Sequence, residues 1–177
     1  GEAIQSFAEH APADTLLVFK HHPMDRGYRD YTILIRQLAE AAGASRRVRY
    51  IHDQHLPSLL NHVRGVVVIN STVGLSAIHH HAPVITTGRS IYDMPGLTWQ
   101  GSLDEFWTTG VAAPPDHKLY RRFLGALTTQ TQINGSYYKP LKGMGTHAGL
   151  AWGVRGKCLC ASRIFRPARL VPIAQNG

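Results

Sequence analysis

Gly65-Val66-Val67-Val68-Ile69, running straight into Asn70-Ser71-Thr72-Val73-Gly74, is the stretch that decides the fold. A continuous β-branched run suits a central parallel strand buried on both faces. The polar segment behind it carries Ser71 and Thr72, both natural helix N-caps. Strand, capped turn and helix (about residues 75–80) open a βαβ unit, and Pro83-Val84-Ile85-Thr86 supplies its second strand. Upstream, Thr15-Leu16-Leu17-Val18-Phe19 and Val48-Arg49-Tyr50-Ile51 read as two further strands. Helices are predicted over 3–10, 31–42 and 56–63. The second carries Leu34, Ile35, Leu38 and Ala42 at helical spacing and stops at Gly43. The third has Pro57 in its first turn and Leu59, Leu60 and Val63 turned inward. Beyond residue 86 the chain is turn-rich, with Pro95-Gly96 between Tyr92 and Trp99 and short helices over 103–107 and 116–128. Strands alternating with helices in this way predict an α/β fold, a Rossmann-like parallel sheet.

Charge divides the chain. Residues 1–138 hold 12 Lys/Arg against 11 Asp/Glu, whereas residues 139–177 hold 7 Lys/Arg and no acid. The net charge of +8 therefore comes almost wholly from the tail. A nucleic-acid binder needs a basic face on its folded part, and here that part is close to neutral, so no nucleic-acid partner is expected. The tail holds six glycines and no sustained helical or strand period. It reads as a basic extension outside the fold, disordered or non-native. Cys158 and Cys160 both lie in it, separated too closely for the usual zinc half-site. No apolar run approaches the ~18 residues that span a bilayer. The chain opens without Met and inside a predicted helix, as a fragment or a processed piece would.

In an open α/β sheet, ligands bind beyond the carboxyl ends of the strands. Two strand exits carry suitable groups. Lys20-His21-His22-Pro23 follows the first strand with a cation and two imidazoles, and Pro23 biases His22 towards an extended backbone. Asn70-Ser71-Thr72-Val73-Gly74 follows the third, where a helix N-terminus turns backbone N–H groups towards an anion and Gly74 permits close backbone approach. Each alone is equally a polar loop or an ordinary capped turn. Together, on one edge of one sheet, they form a phosphate-binding constellation suited to a nucleotide sugar. His79-His80-His81 does not read as a metal site, because consecutive helical residues point about 100° apart. It reads as a helix C-terminus. Asp53 and His55 read as the start of the next helix, with Asp53 its cap, and Trp99, Phe106 and Trp107 as core.

Phe19-Lys20-His21-His22-Pro23 and Ile69-Asn70-Ser71-Thr72-Val73-Gly74-Leu75-Ser76-Ala77 resemble the capsule polysaccharide biosynthesis family. So do the stretch from Gly88-Arg89-Ser90-Ile91-Tyr92-Asp93 to Thr98, and Thr128-Thr129-Gln130-Thr131-Gln132-Ile133-Asn134-Gly135. Four motifs in order cover roughly residues 10–138. The resemblance implies the C-terminal, nucleotide-binding half of a GT-B glycosyltransferase, with residues 1–138 as the nucleotide-sugar-binding domain and 139–177 as the tail. The family includes retaining β-Kdo transferases that take Kdo from CMP-Kdo to a phospholipid-linked acceptor. CMP-Kdo or another nucleotide sugar, that acceptor and other capsule assembly proteins are thus the implied partners. No cofactor or metal is implied. The implied location is cytoplasmic, peripheral at the inner membrane. His22 and Pro23 match the family's His-Pro element near the donor phosphate, flanked by Lys20 and His21. Ser71, Thr72 and Gly74 match the loop that holds the nucleotide. Ser76 stands where many GT-B enzymes place a ribose-binding Glu. Arg89 is suited to pair with the Kdo carboxylate, with Tyr92 and Asp93 lining the same cleft. The catalytic acid is expected in the N-terminal half of the enzyme. A UDP-sugar epimerase or similar GT-B-like enzyme, or a non-catalytic capsule export protein, are the alternatives.

Overall fold

The computed structural model describes residues 1–22, 29–52, 54–131, 150–152 and 158–160. The chain divides into two compact units, Gly1–Arg122 and Phe123–Gly177.

The first unit opens with helix α1 (Glu2–His10) and then holds two βαβ elements. Strand β1 (Leu17–Lys20) pairs in parallel with β2 (Val48–Ile51), with Leu17 opposite Val48 and Lys20 opposite Ile51, and α2 (Thr32–Ala41) crosses between them. After the short helix α3 (Leu56–Leu60), β3 (Val66–Val68) pairs in parallel with β4 (Val84–Thr86) across α4 (Val73–His79). Helix α5 (Leu103–Phe106), a 3-10 turn over Gly110–Ala112 and the start of α6 (His117–Thr131) follow. No helix among the described residues is long and apolar enough to cross a membrane.

The parallel βαβ pattern matches the reading from sequence, but the single sheet does not. Among the described residues the strands form two separate hydrogen-bonded pairs, β1–β2 and β3–β4. With one ladder neighbour, β3 is half-buried throughout rather than buried on both faces. Two helical faces match the sequence reading except at one residue each. On α2, Ile35, Leu38, Ala39 and Ala42 pack inward while Leu34 is 51% exposed. Helix α3 ends at Leu60, leaving Val63 exposed beyond it.

Side chains join what the ladders do not. One cluster gathers Ile4, Ala39, Ala44 and Val48 around β1, with Leu17 and Phe19 packed against it. A second gathers Phe7, Ile85, Phe106 and Trp107, and both Leu17 of β1 and Val67 of β3 pack on it. The fully buried Phe7 meets Trp107 edge-to-face at 5.3 Å, a geometry aromatic quadrupoles favour. The Arg47 guanidinium lies 4.8 Å from the Phe7 ring centre and donates to the Ala8 and Pro12 carbonyls. The Trp107 indole N–H donates to Ser6 Oγ at 2.8 Å, and Ser6 donates onward to Asp104 at 2.5 Å. That chain ties α1 to α5, whose own start is a capping box between Ser102 and Glu105. Phe106 and Trp107 are core, as their sequence context suggests.

In the second unit, α6 continues to Thr131 and an antiparallel pairing joins β5 (Leu150–Trp152) with β6 (Cys158–Cys160). The sequence predicts the helix to residue 128 and no strand after it.

Helices α2 and α4 end alike. Gly43 (φ +67°) donates to Glu40 O and Ala44 to Ala39 O, while His81 (φ 62°) donates to Ile78 O and Ala82 to Ala77 O. Both are left-handed C-terminal closures in which glycine is the usual residue. His81 carries a side chain there, and its ring stacks on His117 at 4.2 Å. His117 Nδ1 is buried without a hydrogen-bond partner among the described residues. Burial, then the neighbouring His81, Arg121 and His79, hold the His117 imidazole below its ordinary pKa, against the opposing effect of Asp116.

A left-handed L-residue costs roughly 1–2 kcal/mol. His81→Gly is therefore expected to raise the unfolding midpoint, and His81→Ala, which keeps the strain and loses the stack, to lower it, as read by denaturant titration. The folded state favours neutral His117, so below the ordinary value of 6.5 it binds fewer protons than the unfolded chain. Its contribution to stability is then lost on acidification through that range. Thermal melts of His117→Gln should show a shallower loss between neutral and mildly acidic pH than the unsubstituted chain.

Candidate functional site

At the first exit, pairing runs one residue past β1: His21 N–H donates to Ile51 O at 2.8 Å. Lys20 Nζ lies 3.4 Å from His21 O. The His21 imidazole hydrogen-bonds through Nδ1 to the Tyr50 hydroxyl and stacks on His52, with ring centres 4.8 Å apart and planes 28° from parallel. Tyr50 meets His52 edge-on at 4.7 Å, and Tyr31 stands 6.4 Å from His21. Asp30, just before α2, accepts from the Thr32 backbone N–H and hydroxyl. Those two bonds hold its carboxyl below the usual carboxylate range, helped by the charges of His52 and His21. His22 is exposed. Pro23 and Asp53 lie outside the described residues. The N-cap of α3 is His55, whose Nδ1 lies 2.9 Å from Ser58 Oγ.

At the second exit, Ser71 rather than Thr72 makes the side-chain bond at the start of α4. Ser71 Oγ accepts from Val73 N–H at 3.2 Å, whereas Thr72 occupies the N-cap position with no side-chain cap bond. The Ser71 carbonyl accepts from Gly74 N–H and from the Tyr92 hydroxyl. Gly74 does permit a close approach, and the group that approaches is Tyr92: an added Cβ would fall within 2.7 Å of its ring. Tyr92 is 1% exposed, and burial raises its phenol above the ordinary value. The chain beyond β4 stays beside this exit, with Thr87 N–H on Val68 O and Gly88 N–H on Ile69 O, so Arg89 emerges next to it and is exposed. Asp93 turns away into its own loop, accepting from the Thr98 hydroxyl at 2.8 Å and from Gln100 at 3.2 Å.

Ser76 sits one turn along α4 and lines a recess of about 260 Å³ with Leu56, Leu60, His79, His80 and Tyr120. The three consecutive histidines go separate ways: His79 towards Tyr120, His80 to Asn61 Oδ1 at 2.8 Å, His81 onto His117. Among the described residues, no group of three His, Cys, Asp or Glu could hold a metal ion.

A cavity of about 540 Å³ lies elsewhere. It is lined by residues that include Pro95, Trp99, Glu105, Pro114 and Pro115 and by none of the two exits' polar groups. Trp99 N–H donates to the carbonyl of Val84, the first residue of β4, which sets this cavity at the amino end of that strand. Its lining has no cation to meet a phosphate, and its one carboxylate, Glu105, is committed to the capping box.

The structure thus gathers Lys20 and His21 at one exit, and Ser71, Thr72, Gly74 and Arg89 at the other. It adds Tyr31, Tyr50, His52 and Asp30 to the first. The signal for two of these is in the sequence: Tyr50 and His52 are two apart in an extended segment and so share a face, and β2 lies alongside β1.

Residues 2–138 match the family model described as capsule polysaccharide biosynthesis protein. The chain is 46% identical over 137 residues to the capsule polysaccharide export protein KpsS of Escherichia coli, covering 77% of this chain and 35% of that one. It is 48% identical over 136 residues to the capsule polysaccharide modification protein LipB of Neisseria meningitidis serogroup A, covering 76% and 32%. To protein FixF of Sinorhizobium fredii it is 29% identical over 142 residues, covering 78% and 33%. It spans about a third of the length of these relatives. No solved structure matches it. With four motifs and a matching model across residues 2–138, the chain belongs to the capsule polysaccharide biosynthesis protein family.

Proposed function

We propose that this chain is the donor-binding half of a capsule glycosyltransferase of GT-B type, and that it grips CMP-Kdo between its two strand exits. The observation that carries this is chemical pairing at the carboxyl ends of parallel strands. β1 delivers Lys20, His21 and His22, and β3 delivers Ser71 and the first turn of α4. Leu17 of β1 and Val67 of β3 both pack on the cluster of Phe7, Ile85, Phe106 and Trp107, so the two strands that end in these groups share one piece of core. Phosphate oxygens suit such a place, where ammonium, imidazole and hydroxyl donors meet helical N–H groups. Arg89, beside the second exit, then pairs with the sugar carboxylate.

On this reading residues 1–138 form the nucleotide-binding domain, and the catalytic acid comes from another part of the enzyme. The phospholipid-linked acceptor and other capsule assembly proteins are met there or at the inner membrane face. The similarity to an export protein of Escherichia coli favours a second reading: a capsule export protein that binds a partner and transfers no sugar.

Calorimetric titration separates these. CMP is expected to bind in preference to UDP. Ser71→Ala should weaken CMP by about fivefold or more, the ~1 kcal/mol of one hydrogen bond, and His22→Ala should weaken it comparably. Tyr92→Phe, which removes the bond to the Ser71 carbonyl but no direct ligand contact, should weaken it less than Ser71→Ala. UDP preference points to a UDP-sugar enzyme, and absence of nucleotide binding to the export reading. Kdo transfer by the 177-residue chain alone would contradict the placing of the catalytic acid elsewhere.

A further inference from the structure

We propose that Tyr50 and His52 of the β2 segment are positioning residues for the His21 imidazole, Tyr50 by fixing its tautomer and His52 by backing its ring. This rests on His21 being a donor to the bound anion.

An imidazole at a strand exit has two problems as an anion donor. Either nitrogen can carry the proton in the neutral form, and the ring can turn about its side-chain bonds. The geometry at the end of β1 answers both. The parallel register sets Lys20 opposite Ile51, and His21 N–H continues the pairing onto Ile51 O. The residues flanking Ile51 are Tyr50 and His52, and both reach the His21 ring. The Tyr50 hydroxyl bonds Nδ1. If the phenol donates, Nδ1 is the acceptor and the ring proton sits on Nε2. His52 lies flat against the same ring at 4.8 Å, and Tyr50 closes on His52 edge-to-face at 4.7 Å. The three rings form a packed stack that holds His21 from two directions.

Among the described residues, charged and titratable groups reach His21 from three elements. Lys20 stands beside it on β1, Tyr50 and His52 on β2, and Asp30 and Tyr31 at the start of α2. Asp30 is bound to Thr32 and remains an anion.

Two measurements on the full 177-residue chain test this. The first needs no ligand: long-range ¹H–¹⁵N correlation of the histidine rings at pH above neutral. His21 should appear as the Nε2–H tautomer, and Tyr50→Phe should convert it to a mixture. A His21 already of the Nδ1–H form, or one indifferent to Tyr50→Phe, would overturn the assignment.

The second is CMP titration of His52→Ala and His52→Phe, with thermal midpoints recorded beside it. His52→Ala should lose about tenfold in affinity, and His52→Phe, which keeps a flat ring and discards the ionisable nitrogens, should recover to within about threefold of the parent, as a stacking contribution of this size implies. Equal losses in both variants would mean that His52 acts through its charge or its protons, which contradicts a role as a backing ring. If the unsubstituted chain binds no CMP, the nucleotide reading fails by itself, and the tautomer measurement still decides the present one.

Discussion

Phe7 is the hinge pin of this fold. Its ring is fully buried among Ile85, Phe106 and Trp107, and Leu17 of one strand pair and Val67 of the other close on the same cluster. The two parallel pairs share no ladder among the described residues, so apolar contact supplies much of what relates them. Burying a phenylalanine of this kind contributes roughly 1.5–3 kcal/mol. Arg47 over the ring, and the Trp107–Ser6–Asp104 chain beside it, fix α1 in the orientation that lets Phe7 reach inward. The exits of β1 and β3 inherit their relative placement from this contact, and with it the anion site proposed above.

The elements of the first unit were legible in the sequence to within a few residues, because β-branched runs, Gly43 and Pro57 punctuate it clearly. Sheet order was not. Local pattern reports that a segment is extended, while the number of ladder neighbours depends on partners distant in sequence. Val66–Val68 therefore reads as a central strand and stands half-buried with one neighbour. Leu34 illustrates the same limit on a helix: helical spacing puts it in an apolar stripe with Ile35, Leu38 and Ala42, and packing against β2 and α1 keeps those three, adds Ala39 and leaves Leu34 exposed.

The candidate site was partly legible. Residues that leave a strand carrying polar groups can be read from one segment at a time, which is how Lys20, His21, Ser71 and Thr72 come into view. Groups contributed by a neighbouring strand need the register, so Tyr50 and His52 emerge only with the β1–β2 pairing. Gly74 was legible as a glycine demanded by close approach, but not by what. Tyr92, eighteen residues later, fills the space that a ligand was expected to enter. Pro23 and Asp53 lie outside the described residues.

Ladders and apolar clusters resist displacement differently. A hydrogen-bonded register is quantised: a strand moves by a whole residue pair or stays. Rings and methyl groups slide by fractions of an ångström at small cost, since dispersion contacts have no fixed direction. Because β1 and β3 are related through a shared apolar cluster on which Leu17 and Val67 pack around Phe7, and not through a ladder, a small shift between them needs no change of register. On the donor-binding reading proposed above, that freedom would let the same two exits accept sugars of different bulk without any change in strand pairing.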